Sequence, residues 1–195
     1  MSVKKHFDGC VCSYCLRKLE PIEVQIPYDT EGQLARAYNR GMERATSEWV
    51  LFFDHDLFIC NKHWYQMSVS AIEQLEDKPV GWITAVTNRI GNPAQKVEDA
   101  PRGNNLQDHI LFAKKLYEQH GSKVERCRGA MSGFWILTNK TAWKKCGGFN
   151  ENRKRLLGVD NHYSQALNRA GFAHYRMPGL YIYHIYRQKR IFMRW

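Results

Sequence analysis

No apolar run in this chain approaches the ~20 residues that a helix needs to cross a bilayer, so a membrane-spanning segment is excluded. Lys4 and Lys5 are not followed by the apolar stretch that a secretory signal carries. The chain is therefore expected in the cytoplasm. Thiols stay reduced there, so the six cysteines are not read as a disulfide framework. Internal repeats, low-complexity stretches and linkers are lacking as well, which argues for one domain. Acidic residues are in short supply, with Asp+Glu 19 against Lys+Arg 29 and a net charge of +10. Such an excess attracts polyanions: nucleic acid, an anionic membrane or a phosphorylated substrate. The chain carries no RNA- or DNA-binding signature, so nucleic acid is the disfavoured partner. The basic residues cluster at Arg153, Lys154 and Arg155, and again at Arg187, Lys189, Arg190 and Arg194.

What is present suits a compact core: 195 residues, 44% of them hydrophobic. Residues 1–21 form a segment of unclear structure, closed by Pro21. Glu23 to Tyr28 reads as a strand with Val24 and Ile26 on one face. Residues 32 to 46 read as a helix, since Leu34, Ala37, Tyr38 and Met42 recur at helical spacing. Trp49 to Phe53, WVLFF, is short, bounded and apolar throughout, the pattern of a strand buried on both faces. Further helices are expected over 63–76, 108–120, 140–145 and 161–170, and further strands over 80–86, 132–137 and 180–184. Between Thr87 and about Gln107 the chain is polar and rich in Gly, Pro and Asn, which predicts a mobile flap over the active site. Alternating strands and helices mean an α/β, Rossmann-like single domain with a mostly parallel or mixed central sheet.

Asp54 and Asp56 follow WVLFF at once. Carboxylates at the carboxyl end of a central strand stand where open α/β sheets bind ligands. Two of them, one residue apart, can share a hard cation that prefers oxygen ligands. A surface turn or helix cap is the bland reading of the same residues. His184 ends the last strand, and a neutral imidazole can complete the coordination of manganese. A histidine satisfied within the core is its alternative. Asp160 begins a helix, so it is either a cap or a general base for an acceptor hydroxyl. His162 is a second candidate base. At the front, His6, Cys10, Cys12 and Cys15 offer four zinc ligands in a short span. C-x-C-x2-C lacks a distant second pair, and free buried cysteines are the favoured state.

The stretch LARAYNRGMERATSEWVLFFDHD resembles inverting family 2 glycosyltransferases: an Asn-x-Gly helix, a spacer, an apolar strand and DxD. GAMSGFWILTNKTAWKKCGGFNENRKRLLGVDNHYSQALNRAGF is similar to the family's second half, and YIYHIYR to its closing strand. The resemblance implies a GT-A catalytic domain over residues 22–187, with a basic aromatic tail at 188–195. It implies transfer of a sugar from a UDP- or GDP-type donor to a glycan or lipid-linked acceptor, with inversion and with Mn2+ or Mg2+. Asp56 would be the principal metal ligand, Asp54 its assistant or a ribose holder, His184 the late ligand and Asp160 the base. Asn39 and Arg36 would border the nucleotide, and Arg89 would reach a phosphate or the acceptor.

Two features depart from the family pattern. Its Glu-Asp motif is Val159-Asp160 here. The family's two nucleobase-binding strands have no counterpart in the roughly twenty residues before EVQIPY, so the resemblance implies a sheet reduced at its N-terminus. A catalytically degenerate sugar-nucleotide-binding subunit, complemented by another subunit or as a homo-oligomer, is the alternative function. The stretch Tyr186 to Trp195, with four basic residues and no acidic ones, suggests peripheral contact with the inner membrane face.

Overall fold

The computed structural model describes residues 22–152 and 158–185. The expected zinc ligands His6, Cys10, Cys12 and Cys15, the Arg153–Arg155 cluster, Arg187 and the tail lie outside the described residues.

The strands are β1 (Ile22–Gln25), β2 (Trp49–Phe53), β3 (Leu57–Ile59), β4 (Val80–Thr87), β5 (Glu125–Cys127), β6 (Trp135–Asn139) and β7 (Ala173–His184). The helices are α1 (Leu34–Arg44), α2 (Trp64–Gln74), α3 (Leu106–His120), α4 (Lys140–Cys146) and α5 (Val159–Arg169). One mixed seven-stranded sheet runs β1-β2-β6-β4-β7-β3, with β5 pairing to β7. β1–β2 and β4–β7 are parallel; the other pairings are antiparallel. The expected α/β domain with a mixed sheet is therefore what forms.

The apolar runs explain the sheet's interior. β2 lies between two neighbours, and its Val50, Leu51 and Phe52 are all buried. Every residue of β4 is buried. Alternation divides them between two faces. Leu51, Ile83 and Leu137 pack with Met67 and Ile72 of α2. Val50, Phe52, Trp82 and Ile136 pack with Tyr38 of α1, Ala142 of α4 and Tyr163 of α5. The result is a sheet between helical layers, with α3 laid along β7 through Ala113, Leu116 and Tyr181.

The Asn-x-Gly helix has a packing cause. At Gly41 a side chain would meet Gln25 Oε1 at 2.5 Å and the Phe52 ring at 2.6 Å, so glycine lets α1 lie against β1 and β2. One turn earlier, Tyr38 stacks on Phe149 with centroids 4.5 Å apart, and Phe149 stacks on Tyr163 at 3.8 Å. This aromatic column joins α1, the Gly147-Gly148-Phe149 turn and α5.

Several elements differ from the sequence expectation: β1 ends at Gln25 rather than Tyr28, and β6 spans Trp135–Asn139 rather than 132–137. β3 and β5 have three residues each, too short for a periodic signal. β7 runs from Ala173, although only Leu180 to His184 reads as a strand. Pro178 and Gly179 hid its first half, since both residues weaken a strand assignment. The structure absorbs them in a register shift against β4, between the pairs Thr84–Arg176 and Val86–Tyr181. Gly179 is also where the carbonyl of Gly121 comes close, leaving no room for a Cβ.

The expected flap is tied down. Gln95 is fully buried; its amide donates to Thr84 Oγ1 at 3.0 Å and to the Ser132 carbonyl at 2.9 Å, and accepts from Ser132 N–H at 2.8 Å. Val97 N–H donates to the Thr87 carbonyl at 2.9 Å. Further along, His109 Nε2 bonds the Gly103 carbonyl at 2.9 Å, and Tyr183 donates to Asn104 at 3.0 Å. Bonds to the core at both ends correct the reading of 88–107 as a free flap.

Candidate metal centre and active site

The chain leaves β2 directly into Asp54 and Asp56, turns, and returns as β3. That short strand pairs Leu57 with His184, and Ile185 N–H donates to the Asp56 carbonyl at 2.8 Å. β3, invisible in the sequence, thus brings the end of the last strand beside the DxD loop. One ligand atom from each of Asp54, Asp56 and His184 lies within 4.8 Å of the others. Ligand atoms about 2 Å from one shared ion stand roughly 3–4 Å apart, a spacing that His184 Nε2 and Asp56 Oδ1 already have at 3.4 Å.

His184 is held in the orientation a ligand needs. Its Nδ1 lies 3.1 Å from the Arg89 carbonyl. A carbonyl only accepts, so in the neutral ring Nδ1 carries the proton and Nε2 keeps its lone pair. That Nε2 faces Asp56 Oδ1 at 3.4 Å. Carbonyl-anchored imidazole is the usual arrangement behind a metal-binding histidine. Asn88 fixes the backbone: its side chain accepts from His184 N–H at 2.8 Å and donates to the His184 carbonyl at 3.3 Å. Sequence reasoning passed over Asn88; its place at the end of β4, opposite the last strand, was the available signal.

Asp54 is an electrostatically loaded carboxylate. Burial pushes it up from 3.8 to about 7, with the charges of Asp56 and Asp160 adding to the effect and His55 opposing it. The folded state therefore binds a proton that the unfolded chain has released, and stability falls as pH rises from about 4 to about 7. A divalent cation reverses the penalty by neutralising the ionised pair. The rise in melting temperature on adding Mn2+ is expected to be larger near pH 8 than near pH 5. Equal increments, read by differential scanning fluorimetry, would contradict the site.

Asp160 stands in the first turn of α5; the residue at the helix cap is Gly158. Its Oδ2 accepts from Gly133 N–H and its Oδ1 from Asn161 N–H, both at 2.8 Å. The next residue on that strand approach, Phe134, accepts from Asp54 N–H at 3.2 Å. Gly133 and Phe134 therefore connect Asp160 to the acidic loop. A Cβ at Gly133 would meet the Asp160 Cβ at 2.9 Å, so glycine is needed for this approach. Each carboxylate oxygen retains lone-pair capacity beyond these bonds. His162 instead borders a separate cleft beside the Gly147–Phe149 turn.

Two residues expected to border the nucleotide, Asn39 and Arg36, also make bonds within the chain. Asn39 Oδ1 accepts from Phe149 N–H at 2.9 Å and Trp143 Nε1–H at 3.0 Å; its amide nitrogen donates to the Phe149 carbonyl at 2.9 Å and Glu151 at 2.6 Å. It clamps the Gly-Gly-Phe turn. Asn39→Ala is expected to cost about 1–3 kcal/mol of stability by leaving the Phe149 N–H and carbonyl unbonded. Urea denaturation checks this, and an unchanged midpoint with lost nucleotide binding would restore the original assignment. Arg36 pairs with Asp29 through Nε and Nη2, at 2.9 and 2.8 Å, and with Glu31 at 2.9 Å. Arg40 also binds Asp29, at 2.7 Å. The Arg36 guanidinium, with the Gln33 and Glu31 amides, holds the Asp29 carboxyl well below the usual range. The backbone carbonyl of Arg89 borders the centre through its bond to His184 Nδ1.

A mixed sheet with an acidic pair at the end of β2 is the layout expected of the GT-A fold. Residues 16–133 match the sequence profile of Glycosyl transferase family 2, and the chain belongs to that family. The matched region holds Asp54 and Asp56, while Asp160 and His184 lie beyond it. No curated protein matches the chain significantly. Among solved structures, S. aureus TarS 1-349 is similar at 18% identity, with a TM-score of 0.49 over 79% of this chain. The chain spans 40% of that structure's length.

Proposed function

We propose that the chain moves a hexosyl group from a UDP- or GDP-type sugar nucleotide to an acceptor hydroxyl, with inversion and with Mn2+ or Mg2+. The observation that supports this most is the convergence of Asp54, Asp56 and His184 ligand atoms within 4.8 Å. A divalent cation there supplies the positive charge that stabilises a departing diphosphate. Asp160 takes the proton of the acceptor hydroxyl. The hydroxyl oxygen bonds to the sugar's anomeric carbon as the bond to the diphosphate breaks, and the diphosphate leaves with the electron pair. The Arg89 backbone lies beside His184, near where a donor phosphate or the acceptor would sit.

A thermal-shift panel of nucleoside diphosphates with and without Mn2+ tests the reading, because a ligand of the native state raises its stability. Stabilisation by one nucleobase class, dependent on Mn2+, is expected; no shift with any nucleotide contradicts donor binding. One observation favours the binding-subunit alternative: among the described residues β1 is the outermost strand on its side of the sheet. Transfer activity in the isolated chain excludes that alternative.

A lipid-linked acceptor would place the tail against a membrane. Its Lys/Arg residues would each gain about 1 kcal/mol near anionic lipid. Removal of residues 188–195 is expected to abolish salt-sensitive co-sedimentation with anionic liposomes. Unchanged partitioning would contradict the tail as an anchor.

A further inference from the structure

Gln95 stands in a polar loop, yet it is fully buried, and both ends of its amide are engaged. Nε2 donates to Thr84 Oγ1 at 3.0 Å and to the Ser132 carbonyl at 2.9 Å, while Oε1 accepts from Ser132 N–H at 2.8 Å. Ser132 is therefore held by both of its backbone groups. Two bonds from one planar amide fix a peptide in position and in rotation, as a rung of a β-ladder does. The ladder itself does not reach Ser132, since β6 begins at Trp135. The loop that carries Gln95 has its own supports. Arg176 Nη1 donates to the Ala94 carbonyl at 2.6 Å, and Asn92 Nδ2 to the Ala130 carbonyl at 2.6 Å.

Ser132 opens the segment on which the centre converges. Gly133 N–H donates to Asp160 Oδ2 at 2.8 Å, the Phe134 carbonyl accepts from Asp54 N–H at 3.2 Å, and the Phe134 ring stacks on His184 with centroids 6.1 Å apart. These groups are not equally dependent on the segment. His184 is also held by Asn88 and the Arg89 carbonyl, and the Asp56 carbonyl by Ile185 N–H. Among the described residues, Asp160 makes one side-chain bond outside its own helix, the one to Gly133. A shift at Ser132 therefore reaches Asp160 first.

We infer that Gln95 is a positioning residue for the base: its clamp on Ser132 sets where Asp160 stands relative to the metal centre, and so relative to the acceptor hydroxyl. The inference rests on the transferase reading above and adds a residue that lies outside both the ligand set and the base. A misplacement of about 1 Å costs up to about 10²-fold in rate. Donor binding does not share that dependence, because the metal ligands keep their own anchors. Loss of the clamp is therefore a loss of turnover and not of donor affinity.

Gln95→Met and Thr84→Val separate positioning from stability. Both break the buried Gln95–Thr84 bond, and both are expected to lower the melting temperature. Only Gln95→Met releases Ser132. In that variant kcat, per molecule able to bind Mn2+–nucleoside diphosphate, is expected to fall about tenfold or more, with the nucleotide Kd and the donor KM within about twofold of wild type. Thr84→Val should keep the wild-type kcat. Amide hydrogen exchange at Gly133 should be slow in the wild type and in Thr84→Val, and faster in Gln95→Met, because a released segment opens locally. An unchanged kcat in Gln95→Met, a proportional loss of turnover and affinity, or equal kcat losses in the two variants overturns the inference. So does fast exchange at Gly133 in the wild-type chain, a result that needs no variant to fold. A wild-type chain that binds nucleotide without transferring sugar counts against the transferase reading alone; the clamp then stands or falls on Gly133 exchange in the two variants.

Discussion

Asp160→Asn is expected to keep Mn2+–nucleoside diphosphate binding and to lower sugar transfer by about 10²-fold or more. The substitution is informative because of what it preserves. The Asn oxygen can still accept from Gly133 N–H, the 2.8 Å bond that ties α5 to the approach of β6. What disappears is the basic oxygen for the acceptor's proton. Melting temperature should stay near the wild-type value. Asp160→Ala removes both functions and should lose stability as well as transfer. If Asp160→Asn lowers nucleotide affinity and turnover in the same proportion, Asp160 is a structural residue. A selective loss in His162→Ala would move the base to His162, against its place in the neighbouring cleft.

Asp56→Ala should have the larger effect, about 10³-fold on transfer, because neutralising a leaving diphosphate is worth several kcal/mol. The loss should appear in both nucleotide affinity and turnover. Burial opposes ionisation of Asp54, so Asp54 alone is a poor substitute. Excess Mn2+ should recover only part of the activity, as two of the three ligands remain. Full activity of Asp56→Ala in a chelated buffer would mean that the chemistry does not use this cluster.

Much of this centre was legible in the sequence, and the reasons are local. WVLFF has the length and unbroken apolarity of a strand covered on both faces, and Asp54 follows it directly, with Asp56 two residues on. The pairing of His184 with them depended on β3, three residues whose partner lies more than a hundred positions away. The place of His184 at the end of the last strand and the family resemblance pointed there, but not to the pairing that joins them. Asn39 shows the opposite limit. Its helix position predicts a face, but not that one amide would be spent on Phe149, Trp143 and Glu151. The family resemblance placed Arg36 at the nucleotide, and nothing in the sequence marked Asp29 as its partner. Gln95 makes the same point for the loop: one buried amide within a polar stretch leaves no periodic trace, yet it anchors the segment.

The central claim is that Asp54, Asp56 and His184 hold one divalent cation. Mn2+ titration followed by the EPR signal of the free ion tests it directly, on the wild-type chain, Asp56→Ala and His184→Gln. The account predicts a single tight site per chain in the wild type, strengthened by nucleoside diphosphate, and weakened at least tenfold in each variant. Mn2+ binding of equal stoichiometry and affinity in all three proteins would contradict it.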